Sequence, residues 1–183
     1  MKKIYNKKIY KLFIEDQRDR SSKVLIQATS DPKKWKLIEK KDLQRRLELG
    51  KILNKKTFLS GEDYLMAGMI FQHGIKISDS KKAIALSKKA IELGNEKAKW
   101  LYAATTDRLL MKKGEKQKYG TQYQKKGNKW ILYPVDKKTT DKERVKYNVI
   151  PLKKAVEKVK IWNKKNIDPW QEKRKTTGIT SKK

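Results

Sequence analysis

The stretch that decides the fold runs from Ser60 to Gln122 and reads SGEDYLMAGMIFQHGIKISDSKKAIALSKKAIELGNEKAKWLYAATTDRLLMKKGEKQKYGTQ. Ser60 can accept a hydrogen bond from the first helical amides, and Asp63 follows three residues later, as in a capping box. Apolar residues then recur at helical spacing as far as His73. Gly74 comes next and is expected to follow the last helical turn as its C-cap. The pattern therefore predicts a capped helix that ends at His73.

Two further helices are predicted after Gly74. Asp79 or Ser80 is expected to cap the second helix, which stops at Gly94. Its predicted apolar stripe consists of Ala83, Leu86, Ala90 and Leu93. The third helix is predicted to begin at Asn95 and to stop at Gly114. Three consecutive helices of this kind predict a mainly α fold.

Small residues recur where these helices would have to approach one another closely. They are Ala67-Gly68 in the first helix and Ala103-Ala104 in the third, 36 positions later. This spacing resembles that of tetratricopeptide-like repeats, in which paired antiparallel helices use small residues for close packing. An ordinary antiparallel helical bundle accounts for the same pattern. Both architectures remain open from the sequence.

The residues before Ser60 predict two more helices. An amphipathic helix is expected from Lys2 to about Arg18, ending in the charged run 16–20. Asp31-Pro32 is typical of a helix start, and the helix that follows is expected to close near Gly50. Its apolar positions include Leu43, Leu47 and Leu49.

After Gly114 the sequence alternates aromatic and β-branched residues with polar ones, which predicts a β-hairpin over about 117–134 with its turn at 125–128. Thr139, Thr140 or Asp141 is expected to start a short helix that contains Arg144. A last apolar helical face is predicted at Leu152, Ala155, Val156, Val159 and Trp162. The predicted organisation is one helical domain over 1–165, with its core at 60–152, and a basic, disordered tail over 166–183.

The chain is strongly basic, with a formal net charge of +29 and a pI near 10.1. Such a charge is typical of proteins that bind nucleic acid or another polyanion. However, the chain has 42 lysines and only seven arginines, although arginine is better suited to bidentate phosphate recognition. A compositional bias towards lysine, isoleucine, asparagine and tyrosine, as an AT-rich genome would produce, is the alternative explanation.

Other features of the composition limit the classes of protein. The chain has no cysteine, which excludes disulfides and thiolate metal sites and fits a cytoplasmic location. Lysines at 2, 3, 7, 8 and 11 interrupt any apolar segment of a signal peptide. No segment has the roughly 20 apolar residues of a membrane span. We therefore expect no membrane association. We also expect no metal site and no cofactor, since no metal-binding or dinucleotide-binding motif is present.

Three polar clusters stand out from the helical framework: Gln72-His73-Gly74, Asp107-Arg108 and Gln117-Lys118-Tyr119-Gly120-Thr121-Gln122. His73 is the only histidine, so it is the natural general acid or base, although an isolated histidine is often structural. Asp107 lies on the apolar stripe of its helix, where a carboxylate needs a partner. That partner is either a structural network involving Arg108 or backbone amides, or else His73.

These motifs resemble those of an uncharacterised family of small bacterial proteins. The shared pattern is a QHG at 72–74, a WLxAAxxDR helix at 100–108, a QxYGTQ hairpin at 117–122 and a D-x-x-R segment near a PL. The last element is represented here by Asp141, Arg144 and Pro151-Leu152, and Asp16-Gln17 extends the resemblance towards the N-terminus. The resemblance implies the position of a site and assigns no reaction to it.

Two classes of function follow from these observations. In the first, a pocket for a small polar ligand contains His73, Asp107 and Arg108 as its catalytic or polar centre. Its recognition groups would be Gln72, Gln117, Tyr119, Gly120, Thr121, Gln122, Asp141 and Arg144. Hydrolysis or group transfer by acid/base chemistry is then the expected reaction. In the second, a lysine-rich surface and tail bind RNA, DNA or an acidic protein, with Trp162 or Trp170 stacking on bases.

Overall fold

A computed structural model describes residues 5–21, 24–25, 28, 31–55 and 59–169. The helices and strands whose bounds it gives are α1 (Lys7–Asp19), α2 (Pro32–Leu53), α3 (Gly61–Phe71), α4 (Ile77–Glu92), α5 (Ala98–Lys112), β1 (Tyr123–Lys126), β2 (Lys129–Leu132), α6 (Asp141–Lys146) and α7 (Leu152–Lys164). The predicted mainly α fold with a small β-hairpin is therefore confirmed.

The main hydrophobic core joins the first four helices. Its buried members are Ile9, Leu12, Leu49, Leu59, Met66, Ala67, Ile70, Phe71, Ala83 and Leu86. Helix α4 packs against both α3 and α5, and α1 packs against α2 and α3. The tetratricopeptide-like character of this arrangement stays a prediction.

Small residues do lie where the central helices meet. A Cβ added to Gly68 would come within 3.1 Å of Leu101 Cδ2 on α5 and 3.2 Å of Ser87 Oγ on α4. Ala67 and Ala103 are fully buried. Glycine at position 68 therefore lets α3 approach both of its neighbours.

Three predicted helix starts are confirmed by the hydrogen bonds around them. Asp31 caps α2 with Pro32 in the first turn, Ser60 and Asp63 form the capping box of α3, and the Thr140 side chain accepts from the Glu143 amide at the start of α6. The start of the second central helix was predicted wrongly. Helix α4 begins at Ile77, before Asp79 and Ser80, and no side chain caps it.

Gly74 also differs from its predicted role. Gln72 is the C-cap of α3, and Gly74 is not among the glycines with positive φ. A Cβ at Gly74 would overlap Asp79, including its Cβ. Glycine is therefore needed at this position for close approach, and not for a left-handed conformation.

Charged residues lie on the buried stripes of the first two helices. The buried residues are Ile9, Leu12, Asp16 and Asp19 in α1, and Ile38, Asp42, Arg45 and Leu49 in α2. Helix α2 continues through Gly50 to Leu53, whereas Leu43 and Leu47 are half exposed. The two helices thus bury an ionic network beside the apolar core.

The hairpin is shorter than predicted because residues 117–122 form a loop that packs on α5. Strands β1 and β2 pair antiparallel from Tyr123↔Leu132 to Lys126↔Lys129, and Gly127 in the turn has φ +59°. Asn163 of α7 accepts from the Trp130 amide and donates to its carbonyl, at 2.8 and 2.9 Å. The hairpin is therefore held against the last helix.

Helix α7 buries Ala155 and Trp162, whereas Val156 is 41% exposed. Trp162 is only 3% exposed and packs edge-on against Tyr123, so its indole is not available for stacking on bases. Trp170 and most of the predicted disordered tail lie outside the described residues. Across the part of the chain that the structure describes, no helix is long and apolar enough to cross a bilayer.

Candidate functional site

The Gln72-His73-Gly74 turn lies directly after α3, between charged residues from four helices. Around it the fold assembles what we term the central charged site, which consists of Asp16 of α1, Arg20 at the C-cap of α1, Asp42 and Arg46 of α2, His73, Asp79 of α4, and Arg108 and Lys112 of α5. Several of these side chains are only partly shielded, with 17% exposure for His73 and for Arg20. His73 and Arg20 therefore each keep part of the side chain in contact with solvent.

His73 pairs with Asp16 and not with Asp107. Its Nε2 lies 3.6 Å from Asp16 Oδ2. Burial lowers the pKa of His73 well below its usual 6.5, and repulsion from nearby cations, Arg20 first and then Arg108, lowers it further. The imidazole is therefore neutral at neutral pH, in spite of the neighbouring carboxylate.

Asp16 is fully buried, and burial raises its pKa to about 6. The attraction of Arg20 opposes this shift, whereas the nearby carboxylate of Asp42 adds to it. Arg20 donates to Asp16 Oδ1 at 3.0 Å, and Gln17 donates to Oδ2 at 2.9 Å. Asp16 thus combines a fixed orientation with a pKa close to neutrality, as acid/base groups require.

An ionic network holds Asp16 and Arg20 in place. Arg20 donates two hydrogen bonds to Asp42, at 3.2 and 2.6 Å. Arg45 bridges Asp42 and Asp19, at 2.5 and 2.7 Å. Each of these carboxylates contacts at least one guanidinium, so α1 and α2 are joined by paired charges.

Arg108 connects the three sequence motifs. Its Nε donates to the side-chain oxygen of Gln122 at 3.2 Å, and its Nη1 donates to the carbonyl of Gln72 at 3.5 Å. Burial lowers the pKa of Arg108 to about 10, and repulsion from Arg20 adds to this shift. Helix α5 thereby brings the 117–122 loop and the turn at His73 to one place.

Lys112, one helical turn after Arg108, binds the far side of the same turn. Its Nζ donates to the Gly74 carbonyl and to Ser80 Oγ, both at 2.7 Å. Asp79, which lies against Gly74, is 3.7 Å from Arg46 Nε. Two α5 cations and one α2 cation therefore border the residues that present His73.

Asp107 holds the 117–122 loop in place, unlike Arg108, which faces the turn at His73. Its Oδ1 accepts hydrogen bonds from the Lys118 and Tyr119 amides, both at 2.8 Å, and its Oδ2 accepts from the amide and hydroxyl of Thr121 at 2.9 and 2.8 Å. Burial raises the pKa of Asp107, although these four bonds oppose the shift. Of the two predicted roles, the geometry supports the structural network with backbone amides.

The other predicted ligand-binding groups of the loop are mostly committed to internal contacts. Gln117 is fully buried, and its amide bonds to the Gln122 backbone and the Tyr133 carbonyl. Gly120 has φ +82°, which allows the loop to turn around Asp107. Tyr119 is 2% exposed and packs against Tyr147. These residues position the loop, and Gln122 is the one that reaches Arg108.

Asp141 and Arg144 contact each other beside the 117–122 loop. Arg144 donates to the carbonyls of Tyr119 and Thr139 and to Asp141 Oδ1, and Asp141 also accepts from the Leu152 amide at 2.9 Å. This pair therefore fastens α6 and the start of α7 to the loop.

Five members of the central charged site were not predicted from the sequence: Arg20, Asp42, Arg46, Asp79 and Lys112. For Asp42 a signal was present. Asp42 lies four residues after Ile38 and seven before Leu49, so helical periodicity places it on the buried side of α2, as it places Asp107 on the buried side of α5.

Among the described residues, no group of three or more histidine, aspartate or glutamate side chains could hold a metal ion. When the chain was compared with protein-family models, curated proteins and solved structures, none of them matched. The resemblance to a family with QHG, WLxAAxxDR and QxYGTQ motifs therefore stays a prediction, and the site is interpreted from its own geometry.

Proposed function

We propose that the protein binds a small polar ligand at the central charged site and acts on it by acid/base chemistry, as a hydrolase or transferase. The observation that carries this proposal is the pair formed by buried Asp16 and partly exposed His73, 3.6 Å apart, beside Arg108, which is hydrogen-bonded to Gln72 and Gln122. Charge bias accounts for surface lysines but not for this convergence.

The environment gives the two members of the pair different protonation behaviour. Burial raises the pKa of Asp16 to about 6, whereas burial and the surrounding arginines lower the pKa of His73. Titratable groups whose pKa values are strongly perturbed by burial and by neighbouring charges are candidates for acid/base sites. The neutral imidazole can accept a proton from a bound hydroxyl or water, and the Asp16 carboxylate can stabilise the resulting imidazolium.

Thermal stabilisation by a panel of uncharged and charged metabolites tests this function. We expect one ligand class to raise the melting temperature of the wild type saturably, at both low and high salt. Asp16→Asn and His73→Gln should lose the response while circular dichroism shows that they remain folded. Lys89→Gln is the matched control, because Lys89 is exposed and its ammonium lies 3.4 Å from Glu92 Oε2, outside the central charged site. An equal response in all four proteins would contradict the proposal.

A basic surface on the hairpin supports a second candidate, binding of single-stranded nucleic acid. Lys125 Nζ lies 5.4 Å from the centre of the half-buried Trp130 ring. A cavity of about 290 Å³ between the hairpin and the end of α7 is lined by Lys125, Asn128, Lys129, Trp130, Trp162, Asn163, Asn166 and Ile167, with Asp168 as its one acidic residue. Cations beside an aromatic ring suit a nucleotide strand.

Titration with a short oligonucleotide distinguishes this second function from the first. Binding should fall steeply with salt and weaken in Trp130→Ala, but remain in Trp100→Ala, which alters an exposed tryptophan on α5. Binding that ignores both salt and Trp130 would rule out this surface.

A further inference from the structure

Two cations of the central charged site, Arg108 and Lys112, form no ion pair with a described carboxylate, and a third, Arg46, forms only a long one. Arg108 contacts only the neutral oxygens of Gln122 and Gln72, and Lys112 only those of Gly74 and Ser80, and neither forms an ion pair with any described residue. Arg46 comes no closer than 3.7 Å to Asp79. Its side chain is nine-tenths buried, and its Nη1 has no hydrogen-bond partner. The guanidinium groups of Arg108 and Arg46 are costly to shield from water without full pairing, whereas Lys112 is an exposed residue.

The neighbouring arginines show that this imbalance is local. Arg45 shares its guanidinium between Asp19 and Asp42, and Arg20 contacts both Asp42 and Asp16. Where arginine joins α1 to α2, carboxylates therefore accompany it. By contrast, Arg108 and Lys112 beside the Gln72–Gly74 turn have no carboxylate partner among the described residues.

Arg108, Lys112 and Arg46 also lie around the same turn, where a single anionic group of a ligand could contact them. Arg108 and Lys112 are four residues apart on α5 and face the same side of the helix. They contact the carbonyls at the two ends of the Gln72–Gly74 turn, at 3.5 and 2.7 Å. Arg46 reaches the turn through Asp79, which lies against Gly74.

We infer that the ligand of the central charged site carries a phosphate group, held by Arg108 with Arg46 and Lys112 beside it. This inference rests on the proposed function and adds the chemical class of the ligand. A phosphate monoester carries a charge of about −1.5 to −2 at pH 7, which matches the two cations that have no carboxylate partner. The planar guanidinium donates two parallel hydrogen bonds to phosphate oxygens, as no lysine can.

The test uses His73, the only histidine, as a reporter beside the bound group. Imidazole NMR signals and the melting temperature are followed while sodium chloride is replaced by inorganic phosphate or by glycerol phosphate at constant ionic strength, with sulfate and acetate as comparison anions. We expect saturable changes with both phosphates and weaker effects of acetate. The two phosphate arms distinguish a site for the free ion from one for an ester.

Arg108→Met should weaken phosphate binding by about 30-fold or more, because it removes one partner of a charge-assisted contact. Arg46→Gln should also weaken it, Arg108→Lys should retain part of it, and Lys89→Gln should leave it unchanged. Melting of each variant without ligand shows whether it folds. Unchanged affinity in folded Arg108→Met and Arg46→Gln, or no saturable response in the wild type, would overturn the inference.

The failure of this inference is distinguishable from failure of the proposed function. If an uncharged metabolite binds in a manner that requires His73 and Asp16 while both phosphates do not, the phosphate inference fails and the proposed function stands. If phosphate binding requires Arg108 but no phosphate ester is turned over, and Asp16→Asn and His73→Gln bind as the wild type does, the acid/base function fails and the phosphate site stands.

Discussion

At the scale of single residues, burial and the cations around His73 determine its protonation state. Its pKa is lowered well below 6.5, first by burial and then by Arg20, Arg108, Arg45 and Arg46. The unfolded chain therefore takes up a proton on this histidine below about pH 6.5, whereas the folded protein does not. His73 thus contributes to a loss of stability as the pH falls below about 6.5.

NMR titration of the single imidazole measures this shift directly. We expect the ring to remain neutral well below pH 6.5 in the wild type. Arg108→Gln should raise the pKa of His73, because it removes one of the repelling charges. A His73 pKa near 6.5 in the wild type, or an unchanged value in the variant, would contradict this electrostatic description.

Asp16 makes the opposite contribution to stability. Its pKa is raised from 3.8 to about 6, so the folded protein binds a proton more tightly than the unfolded chain between these values. The free energy of unfolding of the wild type, relative to Asp16→Asn, should fall by about 2–3 kcal/mol as the pH rises from 4 to 6. Urea unfolding at each pH measures the difference. A rise would mean that pairing with Arg20 outweighs burial and repulsion from Asp42.

Asp107 is a structural residue that accepts four hydrogen bonds from the 117–122 loop. Asn would offer one carbonyl oxygen where three amides and a hydroxyl now find a carboxylate, so at least one buried donor would lose its acceptor. We expect Asp107→Asn to lower the free energy of unfolding by about 2–4 kcal/mol. Asp136→Asn is the control, since Asp136 accepts one exposed bond from the Lys138 amide and its loss should cost about 0.5 kcal/mol. Chemical denaturation of both variants compares them.

At the scale of helices and turns, Gly74 sets the geometry between α3 and α4. A Cβ there would overlap Asp79, so Gly74→Ala must displace the start of α4. We expect a loss of about 1–3 kcal/mol in stability, as for other overpacked sites, together with weaker ligand binding.

Gly50→Ala is the matched control. Position 50 is helical and has open space around its Cβ, so alanine should stabilise the protein by about 0.5–1 kcal/mol. Equal effects of the two substitutions would show that the contact with Asp79 is not important.

Much of the helical pattern was predictable because local signals determine it. The capping box at Ser60, the Asp31-Pro32 start and the glycines at 94 and 114 all act through nearby backbone groups. The start of α4 was not predictable in this way. Asp79 and Ser80 are residue types that often cap helices, but here they contact Arg46 and Lys112 instead. At these two positions, tertiary contacts outweigh the local preference for helix capping.

The candidate site was predictable in part for a related reason. The motifs at His73, Arg108 and Gln122 were identified, and helix α5 does connect them. The pairing of His73 with Asp16 joins residues 57 positions apart and depends on how α1 packs against α3, which periodicity does not specify. Leu43 and Leu47 misdirected the interpretation of α2, because the buried stripe is formed by Ile38, Asp42, Arg45 and Leu49 instead.

At the scale of the whole molecule, the formal charge of +29 should repel itself in the folded state. Salt shortens the screening length from about 30 Å at 0.01 M to about 3 Å at 1 M, so the melting temperature should rise over this range in sodium chloride. An uncharged solute at the same osmolality should not reproduce the rise. A flat or falling melting temperature would mean that the native ion pairs lose more by screening than the lysines gain.

Phosphate separates this general effect from binding at the central charged site. At equal ionic strength, screening is the same for chloride and phosphate, but phosphate also stabilises folded proteins because it is excluded from their surface. Arg108→Met removes one of many positive charges, so its response to chloride and its share of this exclusion effect should match those of the wild type. The excess stabilisation in phosphate should therefore be larger in the wild type than in Arg108→Met, and the difference, which scanning calorimetry can measure, comes from binding at the site. If both proteins gain the same excess, phosphate acts through exclusion or through the dispersed lysines, and Arg108 does not determine which anions the molecule binds.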